Sequence, residues 1–151
     1  MSWIKKVLLA LLVVFIVIQF IQPTHNNNKG QVLTTDITNT LQVPDSILDI
    51  LKNSCYDCHS NNTRYPWYSY IQPGGWWLAS HIRKGKADLN FNDFGDYSKR
   101  KQQNKLRSIG KTIEDETMPI PVYIILHVDA KLTKDQKALV LDWINKTNQN
   151  R

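Results

Sequence analysis

From Val7 to Ile21 the chain is apolar at every position except Gln19, and Lys5-Lys6 precede the run. A basic pair followed by an apolar core has the form of an export signal. The run is shorter than the roughly 20 residues that span a bilayer comfortably, although Trp3 and Ile4 extend it. It leads into Gln22-Pro-Thr-His-Asn-Asn-Asn28, which holds no small-x-small cleavage site. The pattern predicts an uncleaved signal anchor over residues 1–23, with the lysines cytoplasmic and everything after Pro23 outside. A cleaved signal peptide is the alternative, and both readings export the remainder.

Beyond that run the pattern changes repeatedly. Residues 24–43 are polar, rich in Asn and Thr and without a sustained period, which predicts a tether. Pro44-Asp45-Ser46 opens a helix with Asp45 or Ser46 as its cap, and Leu48, Leu51 and Cys55 follow on one face. Residues 65–77 are dense in Trp and Tyr but broken by Pro66, Pro73, Gly74 and Gly75, which predicts a folded loop. A second helix is expected from Trp76 to Lys84, stopped by Gly85. Residues 88–97 are irregular, with Leu89, Phe91 and Phe94 as buried candidates. A charged helix over 98–116 carries Leu106, Ile109 and Ile113 on one stripe, with Gly110 as a weak point. Met118-Pro119-Ile120-Pro121 ends it, and 122–127 read as one apolar helical stretch. Thr133-x-x-Gln136 is a capping box for a last helix whose inner face is Leu139, Val140, Trp143 and Ile144. No strand alternation or repeat is visible. The expectation is an all-α chain: an anchor or signal over 1–23, a tether over 24–43, one helical domain over 44–147 and a tail over 148–151.

Composition narrows the partners. About 127 of the 151 residues follow the apolar segment, enough for one core. Net charge is +6, and setting aside Lys5 and Lys6 leaves seventeen basic against thirteen acidic residues, or +4. That mild excess suits docking to an acidic protein or a membrane surface. No basic block interleaved with stacking aromatics is present, so nucleic acid is not an expected partner.

Two cysteines occur, and both belong to Cys55-Tyr-Asp-Cys58-His59, a CxxCH pattern. Thiols three positions apart on a helical turn can reach both vinyl groups on one porphyrin edge, and His59 follows on the same face to meet the iron. This is the attachment signature of a c-type haem. A thioredoxin-like pair would need a strand before the motif, and a zinc site would need two more ligands. A plain disulfide is the third alternative, and the exported context with no other cysteine favours haem over it.

Iron then needs a second axial ligand or an open position. Met118, rigidified by Pro119, is the expected distal ligand; core filling is the commoner use of methionine. His127, at the end of the Tyr123-Ile-Ile-Leu stretch, is the alternative, and His81 ranks third. His25 falls in the tether and reads as solvated. Among Trp67, Tyr68, Trp76 and Trp77 at least one indole or phenol should reach a haem propionate, with Arg64 or Arg83 as counter-charge.

The chain resembles the small bacterial haem-binding domain proteins of the c-type cytochrome superfamily. The resemblance runs through Asn53-Ser-Cys55-Tyr-Asp-Cys58-His59-Ser-Asn61, Arg64-Tyr-Pro66-Trp67-Tyr68, Gly75-Trp76-Trp77 and Leu89-Asn90-Phe91. It continues through Met118-Pro119, Tyr123, His127, Asp129-Ala130, Leu132 and Trp143, covering roughly residues 47–143. It implies a cytochrome c-like helical domain and carries Cys55, Cys58 and His59 over as haem residues. Met118 carries over as the second ligand, and His127 matches the pattern as well. Such domains also occur joined to peroxidase-like modules, and none is visible in this sequence. The expected activity is single-electron transfer by one covalent haem c with redox partner proteins, on the periplasmic side of the bacterial inner membrane. The competing reading is a haem peroxidase or ligand sensor with a labile sixth position; a haem-free thiol module is third.

Overall fold

The computed structural model describes residues 2–28 and 33–149. Residues 29–32 of the expected tether and 150–151 of the expected tail lie outside the described residues.

Helix α1, Trp3–Ile18, forms from the apolar run and buries none of its residues. At 1.5 Å per residue it is about 24 Å long. No helix among the described residues is long and apolar enough to cross a membrane. Beyond Ile18 the chain is tied to the domain by side-chain hydrogen bonds. Gln19 Nε2 donates to the Gln72 carbonyl at 3.2 Å and its Oε1 accepts from Gln72 N–H at 2.8 Å. Gln22 Nε2 donates to the Tyr70 carbonyl at 3.1 Å.

The expected tether is corrected. Asp36 accepts from Thr38 N–H to cap the short α2, Ile37–Thr40. Ile37 is fully buried and Leu41 nearly so, both within the main core. Isolated apolar residues in an Asn- and Thr-rich stretch thus supply core contacts.

Helix α3, Asp45–Ser54, has Pro44 at its cap position with no side-chain capping bond. Asp45 instead falls in the first turn, where its charge complements the helix dipole. Ile47, Ile50 and Leu51 face inward. The single turn α4, Tyr56–His59, follows after Cys55. A 3-10 turn, Trp67–Tyr70, occupies the aromatic loop.

Helix α5, Gly74–Asp88, runs straight through Gly85 rather than stopping there. A Cβ at Gly85 would lie 2.7 Å from the Cys58 carbonyl oxygen, so the glycine allows α5 to lie against α4. A 3-10 stretch, Phe91–Asp96, then buries Phe91 and Phe94. Helix α6, Lys99–Glu114, is capped by Ser98 and turns Leu106, Ile109 and Ile113 inward, following its apolar stripe.

The short α7, Pro121–Leu126, buries Tyr123 while Val122, Ile125 and Leu126 are exposed. Before α8, Lys134–Gln149, Thr133 and Gln136 make the reciprocal capping bonds, at 2.9 and 3.2 Å. Val140, Trp143 and Ile144 face the core, but Leu139 is exposed. The core joins α2, α3, α6 and α8 around Phe91 and Phe94. Each fully buried side chain of this size contributes about 1.5–3 kcal/mol. Among the described residues no strand forms, and one isolated bridge pairs Asn27 with Asn62. The fold is all-α.

Candidate functional site

The Cys55–His59 segment closes as a turn, with Cys58 N–H and His59 N–H both donating to the Cys55 carbonyl, at 3.2 and 3.0 Å. Tyr56 stacks on the buried Phe91, centroids 5.0 Å apart, and fixes one side of the turn. On the other side Asp57 is buried. It accepts from Tyr123 Oη at 2.7 Å, from Arg64 Nε at 3.2 Å and from Arg64 N–H at 3.0 Å. Held from both sides, the turn presents its cysteines and His59 to the same space.

That space is a pair of adjoining hollows of about 90 and 250 Å³. Cys55, His59, Met118 and Pro119 border both. Leu89, Phe91, Ile109, Ile113 and Leu132 give the smaller hollow an apolar wall. Cys58, His81, Lys84, Gly85 and Tyr123 line the larger one.

His59 is partly buried, and its Nδ1 pairs with the Leu89 carbonyl at 3.0 Å. A carbonyl only accepts, so Nδ1 carries the proton and Nε2 keeps its lone pair for a metal. Burial lowers the His59 pKa, which favours the same neutral ring. The two cysteines are free. Burial, reinforced by the Cys58 sulfur, pushes the Cys55 thiol up to about 12. Burial and Asp57 push Cys58 up to about 11. Both therefore stay neutral thiols in apolar surroundings, and a thioether there would be neutral too.

These residues fit a haem: two thiols on one turn, an imidazole of fixed tautomer, a thioether on the same crevice and an apolar wall. Among the described residues no group of three or more His, Cys, Asp or Glu side chains is arranged to hold a metal ion.

Other sequence-selected residues lie elsewhere. His127 borders neither hollow; it lines a separate open depression with Arg64 and Asp129. Its Nε2 meets Tyr68 Oη at 2.5 Å and its ring stacks on Tyr123 at 4.1 Å. The alternative ligand is thus already engaged. Tyr68 is held by that bond, and the Trp76 indole donates to the Ile21 carbonyl at 2.8 Å. Trp67 is exposed, and Arg64 is committed to Asp57. None of Trp67, Tyr68, Trp76 and Arg64 lines either hollow. His25 is not merely solvated, since its ring lies 4.3 Å from Tyr65.

Sequence reasoning missed Lys84 and Lys105, the cations that line the crevice; Lys105 pairs with Asp88 at 2.7 Å. Their position on α5 and α6 facing the motif has no local signature. The Asp57–Tyr123 bond, spanning 66 residues, likewise has none.

Comparison with curated proteins finds no match, and neither does comparison with solved structures. A family model described as a haem-binding domain matches residues 13–146. With that match over nearly the whole chain, the chain belongs to the haem-binding domain family.

Proposed function

We propose that this chain is an exported, membrane-tethered c-type cytochrome that holds one covalent haem and passes single electrons between redox partner proteins. Cys55 and Cys58 provide the thioethers, His59 the proximal iron ligand through Nε2, and Met118 the distal ligand. The supporting observation is that these four side chains border one apolar crevice, with His59 Nδ1 already held by the Leu89 carbonyl. His127, hydrogen-bonded to Tyr68, is the weaker candidate for the sixth position.

When bound, haem supplies a one-electron iron couple. The chain's own groups set its surroundings. Leu89 orients the proximal ring, and the apolar wall excludes water. Lys84 offers positive charge to a propionate, while Lys105 is paired with Asp88. A thioether ligand raises the potential relative to two imidazoles. The exposed apolar part of α1 that follows Lys5-Lys6 supports a tether on the periplasmic side of the bacterial inner membrane.

Replacing Met118 with Ala tests the assignment. The expected result is a lower potential or a five-coordinate spectrum with rapid CO binding by the reduced protein. An unchanged spectrum and potential would exclude Met118. Rapid CO binding by the unaltered reduced chain would favour a peroxidase or ligand sensor.

A further inference from the structure

The aromatic loop lies outside the haem crevice and yet is among the most exposed apolar surfaces of the domain. Trp67 is 76% exposed, Tyr70 51%, Ile71 42% and Trp77 40%. Phe20 and Ile21, which follow α1, are 84% and 59% exposed. Soluble surfaces rarely keep such residues together without a use.

Hydrogen bonds bring the two groups together. The Gln19–Gln72 pair is reciprocal, Gln22 reaches the Tyr70 carbonyl, and the Trp76 indole reaches the Ile21 carbonyl. Gln72 is fully buried, and its side chain also joins Gln22 Oε1 to Trp76 N–H, each at 2.9 Å. The loop is therefore fastened around the end of α1. In a 3-10 turn residues three apart eclipse, so Trp67 and Tyr70 share one side.

We infer that Phe20, Ile21, Trp67, Tyr70, Ile71 and Trp77 form an aromatic collar that docks the haem domain onto the interface of a phospholipid bilayer at the foot of α1. The inference rests on the tethered reading above. Several observations point to lipid. From Val7 onward α1 is apolar on every side, and such a helix needs an apolar medium all round. That apolar part, residues 7–18, is about 18 Å long, shorter than the ~30 Å hydrocarbon layer, and a short apolar helix draws its flanking residues into the interface. Trp and Tyr, with apolar bodies and polar tips, suit that depth. Arg83 and Lys86 border a neighbouring depression with Pro23 and His25, which places positive charge beside the collar for anionic headgroups.

Docking also fixes the crevice. Helix α5 carries Trp77 within the collar and Gly85 against the Cys58 carbonyl, eight residues or about 12 Å apart along its axis. A domain seated by its collar holds the haem edge at a constant distance from the lipid.

The test uses the full haem-loaded, reduced chain labelled with 5-fluorotryptophan, in nanodiscs of phosphatidylglycerol and phosphatidylcholine. Fluorine signals are assigned by single Trp→Phe variants. A headgroup-region doxyl lipid should broaden Trp3, Trp67 and Trp77, and an aqueous gadolinium chelate should leave Trp67 and Trp77 sharp. Trp143, buried in the core, should respond to neither. Trp3 broadened by lipid, with Trp67 and Trp77 relaxed by gadolinium instead, would overturn the collar and leave the tether standing. Trp3 untouched by the lipid probe would overturn both, and self-association through α1 would then be the occupant of this surface.

Discussion

Gly85 and Gly110 are both interior helix residues, so adding one methyl to each separates helix propensity from packing. In an open helix interior, Gly→Ala is worth about 1 kcal/mol of stability. At Gly110 the new Cβ would meet Leu141 Cδ2 at 3.5 Å and Ile144 Cδ1 at 3.8 Å, ordinary contact distances. Gly110→Ala should therefore stabilise the chain by up to ~1 kcal/mol. At Gly85 the same atom would lie 2.7 Å from the Cys58 carbonyl oxygen and 3.3 Å from its carbonyl carbon and Cβ. Two of these atoms are backbone, so α4 or α5 must move by several tenths of an ångström. Overpacking of this kind costs about 1–3 kcal/mol. After the propensity gain is subtracted, Gly85→Ala should destabilise by ~0–2 kcal/mol, against a gain at Gly110. The pair is compared by urea unfolding followed by circular dichroism, with the haem absorption spectrum recorded for each. Gly85→Ala should also disturb the spectrum, because Cys58 adjoins His59. A Gly85→Ala chain as stable as Gly110→Ala, with an unchanged spectrum, would refute close packing of α5 on the motif.

Tyr123→Phe removes the hydroxyl that donates to buried Asp57; urea unfolding should report a loss of about 1–3 kcal/mol. Arg64→Ala should cost less than about 1 kcal/mol in the same assay, because its side chain is largely exposed. Burial lowers the His127 pKa, so its neutral ring contributes stability in full above the ordinary value of about 6.5, and that stability is lost as pH falls below it. Urea midpoints measured from pH 7.5 to 5 should drop at the acid end, and His127→Gln should flatten that drop.

The long amphipathic elements were legible because each carries redundant local signals. Helix α6 has an apolar stripe and a Ser cap, and α8 has its capping box. Gly85 misled because glycine ordinarily ends a helix, and what retains it here is a contact with a residue 27 positions earlier. Ile37 and Leu41 were hidden in a polar stretch whose Asp36 bonds to Asn92, 56 residues away. At the site, the CxxCH turn is local and could be read directly. The fate of the aromatics could not, since Tyr68, Trp76 and His127 are each decided by one distant partner. Met118 and His127 differ for the same reason: one borders the crevice and the other is occupied by Tyr68.

Covalent attachment at Cys55 and Cys58 is tested most directly by intact mass spectrometry under denaturing conditions. The full chain is expressed with a cytochrome c maturation system, and a pyridine haemochrome spectrum is taken of the same sample. One haem per chain should survive denaturation, and Cys55→Ser with Cys58→Ser should abolish it. A chain that denatures to its bare polypeptide mass, with both thiols free or joined to each other, would contradict covalent haem.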